Sequence, residues 1–526
     1  MCLAEGVIVS CPAPPRLRPA EPLLVFGALL AVLLGLSKGL GLTWDESTYF
    51  IFSDTVAAWF RSGPDFSAEA VRRAWAYDPF FNPHPPFFKV LDAMGSALTS
   101  GWLVFPLSYR FAHLAFAAGC LSLIYSLIRA KASRVEALAA LAFAILAPRA
   151  LGDLLLASTD GPVMIAWLTA VVLAWRIGEA PEEQPPHRLR GLLIVICAVA
   201  GAAKFTGLLI TLPVAVYFIA RRRWSDVLVV AGGALAALVL VIASSPDKWA
   251  HPLGGVIQYL SYPFMRTGIP IPTTYLGTFH SFRLPWHYFT VMSAVTFPVE
   301  IWLCLPGLLF APPRFRSLAQ SLTFSVLFWL IVVHLPNTPR HDGVRQFVSV
   351  YPLIALLGFI GLTGYRRRLV EEYPRMLVAS KAMFLAVPLA LVGTVWRSHP
   401  HELSYYNPVI GGLRGAEALG MEITYYFDAL SDDTLRAMDS HILPGQTLGM
   451  SPLWARLLES YRDHGRLRMD FKVVDYREPS DWLLLYRRRH MVDDEAYLRV
   501  AAVHEVTYDG VSLLKLVKRG GAAPAR

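Results

Sequence analysis

The sequence has little with which to build covalent cross-links: five cysteines in 526 residues, Cys2, Cys11, Cys120, Cys197 and Cys304, none of them in the last 130 residues. A disulfide-stapled secreted scaffold is excluded. Charge is scarce as well, at 17% of residues against 55% hydrophobic, and the mean hydropathy is +0.45. That balance is far too apolar for a water-soluble chain of this length. No Cys/His spacing suits a metal, no Walker A stretch is present and no Gly-Xaa-Ser-Xaa-Gly elbow occurs. Nucleotide hydrolysis and triad hydrolase chemistry are therefore unsupported. No internal repeat of fixed period is visible.

What is present is a series of apolar blocks from Leu23 to Val395, followed by a segment of mixed composition. The pattern predicts a polytopic α-helical membrane protein with about 11–13 transmembrane helices and a small C-terminal α/β soluble domain. The divisions are 1–22 as a cytoplasmic N-terminal segment, 23–396 as the membrane domain and 397–526 as the soluble domain. Up to Trp396 there are 31 Lys/Arg against 21 Asp/Glu, and beyond it 17 against 18. The basic excess sits in short loops and reads as topology signal, with no nucleic-acid surface.

With Arg16 and Arg18 inside, the first span at about Leu23–Leu42 delivers Thr43 to the outer side. Eleven crossings then bring Arg129 and Arg134, Arg188 and Arg190, Arg221–Arg223, Arg314 and Arg316, and Arg366–Arg368 back to the inner side. A single crossing at 85–106 would invert all of these, so that stretch is expected to lie along the interface or to cross twice. The outer loops 43–106 and 245–288 are long enough to carry function, and the tail follows on the same side.

Ionisable residues at the outer ends of spans are the functional candidates, because a polar group at membrane depth is costly unless paired or wetted. Thr43-Trp44-Asp45-Glu46 offers two carboxylates, read either as a general base or as a helix N-terminus capped by Thr43. Asn82-Pro83-His84-Pro85-Pro86-Phe87-Phe88-Lys89 offers a cation that either holds phosphate or snorkels. Asp160, before Pro162, is an N-cap or a second acid. Lys204 stands alone at an outer turn and either neutralises a phosphate or bonds a nearby carbonyl or acid. Asp342 and Arg345 either pair with each other or offer a bidentate anion site. The loop 245–288 adds Tyr275 and Trp286, an interfacial belt or a sugar platform, with Arg266 and Arg283 as further phosphate candidates. In the tail, Arg487-Arg488-Arg489-His490 reads as a solvated basic face.

Asp45-Glu46 after the first span, His84-Pro85-Pro86-Phe87-Phe88-Lys89 and Asp160-Gly161-Pro162 together resemble the C-type glycosyltransferase (GT-C) superfamily. The likeness is to bacterial family-39-like members, relatives of the protein O-mannosyltransferases and of the lipid A aminoarabinose transferase, and it covers about residues 23 to 396. The resemblance implies inverting transfer of a sugar from a polyprenyl-phosphate donor to an acceptor hydroxyl, on a lipid or a protein, at the periplasmic face of a bacterial inner membrane. Carried over, Asp45 is the base and Glu46 its support. Asp160 matches a second acidic position, which in some relatives helps hold a divalent metal ion, so that Asp45 and Asp160 are the metal ligands if there are any. Lys89 matches the His-Pro-Pro lysine, while Lys204 and Arg345 are assigned to the leaving phosphate from charge and side. Such a donor brings its own activation, and no nucleotide or other cofactor is implied. The competing reading is a transporter or flippase of lipid-linked glycan intermediates, although duplicated halves are not visible. Ser404–Gly412 is similar to the segment that opens the tail in some relatives, but Tyr425-Tyr426-Phe427-Asp428 stands where Trp-Gly is expected.

Overall fold

Apolar runs bounded by Pro, Gly and Arg become helices, and the places where those runs break decide what reaches the site. The computed structural model describes residues 3–4, 7–8, 18–76, 84–266, 271–336, 338, 340–426, 428–468, 470–489 and 491–519. Arg16, Asn82, Pro83, Phe427, His490 and the side chain of Arg266 lie outside the described residues.

After a two-residue strand pair, β1 (Leu3–Ala4) and β2 (Val7–Ile8), come α1 (Ala20–Ser37), α2 (Trp44–Arg61), α3 (Ala68–Trp75) and α4 (Phe87–Thr99). Next follow α5 (Leu107–Arg129), α6 (Arg134–Ile145), α7 (Pro148–Leu155), α8 (Asp160–Gly178) and α9 (His187–Ala203). A short α10 (Phe205–Leu208) leads to α11 (Thr211–Ala220), α12 (Trp224–Ala243) and α13 (Pro252–Arg266). A hairpin of β3 (Thr273–Tyr275) and β4 (Thr278–His280) precedes α14 (Tyr288–Thr296), α15 (Val299–Cys304), α16 (Pro313–His334), α17 (Val350–Glu372) and α18 (Leu377–Ser398).

Each of the eleven stretches expected to cross is helical, yet only six of the described helices are long and apolar enough to span a membrane singly, or up to eight if two bent pairs each count as one. Part of the difference lies in two breaks. The expected span 135–148 turns by 81° between α6 and α7, and the expected span 289–310 turns by 97° between α14 and the segment from Val299. α4 has 13 residues, a rise of about 20 Å against a hydrocarbon thickness of about 30 Å, and is too short to cross. α8 is the axis of the bundle, with 94% of its apolar window buried. α17 packs backbone to backbone against the segment after α15: a Cβ on Gly361 would lie 2.0 Å from the Cys304 carbonyl oxygen, which only glycine allows.

The basic loops expected on the inner side converge at one end of the bundle. Glu21 pairs with Arg129 and Arg134, Glu179 with Lys131 and Arg176, Asp226 with Arg190 and Arg223, and Glu136 with Arg314 and Arg366. At the other end, a buried knot ties four segments. Arg110 on α5 donates through Nε and Nη2 to the two Glu46 oxygens at 2.7 and 2.8 Å, and through Nη1 and Nη2 to the carbonyls of Ser37, Leu40 and Gly41. Glu46 also accepts from Ala157 N at 2.8 Å and from Thr43 N and Oγ1. Neither charged side chain has any exposed surface.

The tail forms α19 (Gly412–Ala418), α20 (Asp432–His441), β5 (Thr447–Ser451), α21 (Ala455–Asp463), β6 (Lys472–Asp475), β7 (Trp482–Tyr486), α22 (Asp494–Arg499), β8 (His504–Tyr508) and β9 (Val511–Lys518). Its five-stranded sheet runs β6-β5-β7-β9-β8, parallel across β6, β5 and β7 and antiparallel from β7 to β8. The expected small α/β domain is present, and the Asp509-Gly510 pair, with its positive φ values, closes the hairpin between the edge strand β8 and β9.

Replacing Arg110 with Met leaves Glu46 buried and unpaired, and should cost about 3–5 kcal/mol. A lowered Tm of the solubilised protein checks it; an unchanged Tm would show that the knot is not structural.

Candidate functional site

Thr43 is the N-cap of α2 and Glu46 its N3 residue, and the two close a reciprocal capping box. The box consumes Glu46, already locked by Arg110, and leaves Asp45, one residue earlier in the same turn, turned towards the loop before α17. There Asp45 pairs with Arg345 Nη2. Arg345 Nε donates to Asp160 Oδ2 at 2.8 Å, and Lys204 Nζ reaches Asp160 Oδ1 at 2.6 Å. Asp342 Oδ2 lies 3.7 Å from Arg345 Nη1, and the guanidinium covers the Tyr426 ring at 4.8 Å from its centroid. Asp45, Arg345, Asp160 and Lys204 thus form one continuous chain of alternating charge, drawn from α2, the 340–347 loop, α8 and the α9–α10 break.

Local backbone explains each placement. Thr159, not Asp160, occupies the N-cap of α8, and makes no side-chain cap bond, so the Asp160 carboxylate serves the two cations. Lys204 is extended, at φ −161° and ψ 150°, between α9 and α10. Three residues on, Gly207 folds the chain back so tightly that a Cβ there would sit 1.9 Å from the Ala200 carbonyl oxygen. Lys204 is thereby held at the end of α9. Asp342 takes a left-handed φ of 54°, and Gly343 after it one of 66°, which turns the loop back and presents Arg345.

A cavity of about 680 Å³ opens beside this chain, lined by Lys204, Thr206, His341 and Gln346 at its polar part and by Trp329, Val333 and other apolar groups elsewhere. The other expected site residues fall into two groups. His84 lines this cavity and packs edge-on against Tyr49 and Tyr262. Lys89, buried inside α4, donates to the His84 carbonyl at 2.9 Å and lies over the Tyr49 and Phe52 rings. Burial is the main cause that draws its pKa down to about 7, opposed by Asp92 and Asp45. The bond to the His84 carbonyl ties the 84–86 turn to α4. Tyr275 and Trp286 are not brought to the charged chain: Tyr275 is buried with its hydroxyl on His287 Nδ1 at 2.9 Å, and Trp286 is an exposed ring against His287 and His334.

A divalent ion between Asp45 and Asp160 does not fit this arrangement. Both Asp160 oxygens are engaged by cations, Arg345 already bridges the two carboxylates, and among the described residues no group of three or more His, Cys, Asp or Glu side chains is placed to hold a metal.

Two contributors escaped sequence reading. Arg110, visible as an ionisable residue near the start of an apolar run, fixes the α2 N-terminus. Arg488, read as part of a solvated run, is buried: Nη2 meets Asp342 Oδ1 and the Pro272 carbonyl, both at 3.2 Å, and Nη1 the Tyr425 carbonyl at 3.3 Å. Arg487 is buried as well, against Glu417 and Asp494. The tail is therefore seated on the site end of the bundle. Trp454 stacks on Trp44 with ring centroids 4.2 Å apart and donates to Ser47 Oγ, and Tyr461 accepts from Leu42 N.

Residues 78–243 match the family described as dolichyl-phosphate-mannose-protein mannosyltransferase. No curated protein sequence matches the chain. Among solved structures, ArnT from Cupriavidus metallidurans in the apo state superposes with a TM-score of 0.53 at 14% identity, covering 94% of this chain and 97% of that one. The same protein bound to undecaprenyl phosphate gives 0.51 at 14% identity, over 95% and 98%. Archaeal oligosaccharyltransferase AglB from Archaeoglobus fulgidus, in complex with an inhibitory peptide and a dolichol-phosphate, gives 0.47 at 13% identity, over 84% and 64%. The chain therefore has the fold of the GT-C glycosyltransferases and is mannosyltransferase-like in sequence over residues 78–243.

Proposed function

We propose that the protein transfers a sugar from a polyprenyl-phosphate carrier to an acceptor hydroxyl, with inversion at the anomeric carbon, at the outer, periplasmic face of a bacterial inner membrane. The observation that carries this reading is the Asp45–Arg345–Asp160–Lys204 chain, whose last member, Lys204, lines a largely apolar cavity. A polyprenyl phosphate is a long apolar tail ending in an anion, and this cavity has that shape of chemistry. ArnT, whose fold the chain shares, has been crystallised with undecaprenyl phosphate.

The residues divide the work as the reaction demands. The acceptor O–H attacks the anomeric carbon from the face opposite the phosphate, and its proton passes to the Asp45 carboxylate. The bond from the anomeric carbon to the phosphate oxygen breaks, and the electron pair leaves with the polyprenyl phosphate. Lys204 and Arg345 stabilise the negative charge that collects on that phosphate, as fixed cations in a site sheltered from water. Asp160 holds both cations in position. In the resting site Arg345 also neutralises Asp45, so donor phosphate and Asp45 compete for one guanidinium. Donor binding thereby releases the base where the acceptor arrives. No metal ion is routed through this scheme, because Arg345 occupies the space between the two carboxylates. The flippase alternative has no comparable observation in its favour.

Asp45→Asn should lower kcat by about 10²–10⁴-fold, the usual worth of a general base, with protein abundance and Tm unchanged. Transfer of labelled sugar from a polyprenyl-phosphate donor measures it, and wild-type turnover in that variant would sink the assignment. Lys204→Ala should act at the donor step, raising KM for donor by about tenfold or more while polyprenyl phosphate loses affinity to a similar extent in a direct binding titration. Unaltered donor affinity would remove Lys204 from the phosphate site.

A further inference from the structure

Extended backbone splits the basic run that follows β7 into two directions. Arg487 and Arg489 turn to the tail's own acids: Arg487 pairs with Glu417 and Asp494, and Arg489 lies 3.6 Å from Asp494 and donates to the Glu417 carbonyl at 2.7 Å. Arg488, between them, turns the other way. Its guanidinium donates to the carbonyls of Tyr425 and Pro272, at 3.3 and 3.2 Å, so two backbone segments fix it where it meets Asp342.

Asp342 is thereby shared between two guanidinium groups. Oδ1 accepts from Arg488 Nη2 at 3.2 Å, while Oδ2 stands 3.7 Å from Arg345 Nη1, an ion pair too long for a hydrogen bond. The other two nitrogens of Arg345 already serve Asp45 and Asp160. Asp342, closed to hydrogen-bond distance, would engage the third. Charge points the same way. The chain of ion pairs sets Asp45, Asp160 and Asp342 against Lys204, Arg345 and Arg488, three of each sign. Without Arg488, one negative charge is uncompensated beside the place assigned to an anionic lipid, in surroundings that screen it poorly.

We propose that Arg488 is a positioning residue for donor binding: through it the tail holds Asp342 back from Arg345 and balances its charge, which keeps Arg345 open to the donor phosphate. The proposal rests on the assignment of Arg345 to that phosphate and gives the tail a defined part in the same site. Arg488 itself touches neither the donor nor the acceptor.

The test measures the affinity for polyprenyl phosphate and the kinetics of transfer, with the full-length protein in lipid nanodiscs. Arg488→Gln should weaken polyprenyl phosphate about tenfold and raise KM for donor to match, while kcat moves by less than about threefold. Arg488→Lys keeps the charge but lacks the planar fork that reaches three acceptors, and should stay within about threefold of wild-type affinity. Arg488→Gln combined with Asp342→Asn removes one charge of each sign and should regain most of the lost affinity. Wild-type affinity in Arg488→Gln overturns the proposal. So does a loss in Arg488→Lys as large as in Arg488→Gln, or a double variant that regains nothing, since either makes Arg488 a brace alone. If Arg488→Gln does not fold, the Lys variant and the double variant decide the matter against wild type. Polyprenyl phosphate that binds with this dependence on Arg488, in a protein that transfers no sugar, would keep the proposal and refute the transferase reading.

Discussion

The Arg110 guanidinium enters the bundle with every donor committed: two bonds to Glu46 and three to the carbonyls that end α1 and lead towards α2. A charge with no exposed surface is tolerated only when paired and hydrogen-bonded throughout, so this pair admits one arrangement of the segments that supply its partners. Those segments are the end of α1, the first turn of α2, α5 and the chain just before α8. Asp45 belongs to that first turn and Asp160 lies three residues beyond Ala157, which donates to the same Glu46 oxygen. The directions of the Asp45 and Asp160 carboxylates thus follow from a salt bridge in which neither takes part.

The cations are placed by the opposite means, through irregular backbone. Lys204 sits where α9 gives way to α10, and Arg345 follows a left-handed turn at Asp342 and Gly343. Helical backbone would have buried their donors in the bundle or spread them around it. This irregular chain lines a cavity within the protein, the condition under which a membrane protein tolerates it. The tail closes the arrangement from outside: Arg488 grips Asp342 and the Tyr425 carbonyl, and Trp454 stacks on Trp44 beside the Asp45 turn. The soluble domain thus helps form the site and is more than an appendage to it.

Much of this was legible beforehand because it depends on composition and local chemistry. The basic loops that converge through Glu21, Glu136, Glu179 and Asp226 were marked by their arginines. Asp45, Asp160, Lys204 and Arg345 were each noticeable as ionisable groups at the ends of apolar runs, where they are costly unless they have a purpose. Lys89 shows the limit of that reasoning: the same sequence signal belongs to a side chain that braces a turn. The basic run at 487–489 misled in the other direction, because burial of Arg487 and Arg488 is decided by a docking surface that local sequence does not encode.

The sequence by itself determined the solvent, the helical class, the sorting of basic loops to one end and the residue types available at the candidate site, since each follows from hydropathy, charge and short-range periodicity. Only the tertiary structure decided which charges meet. Asp45 and Arg345 are 300 residues apart, and Asp160 and Arg345 are 185 apart. Such pairs form because the Arg110–Glu46 knot and two broken helices bring distant chain ends to one wall, and no pattern within a few turns of helix records that closure.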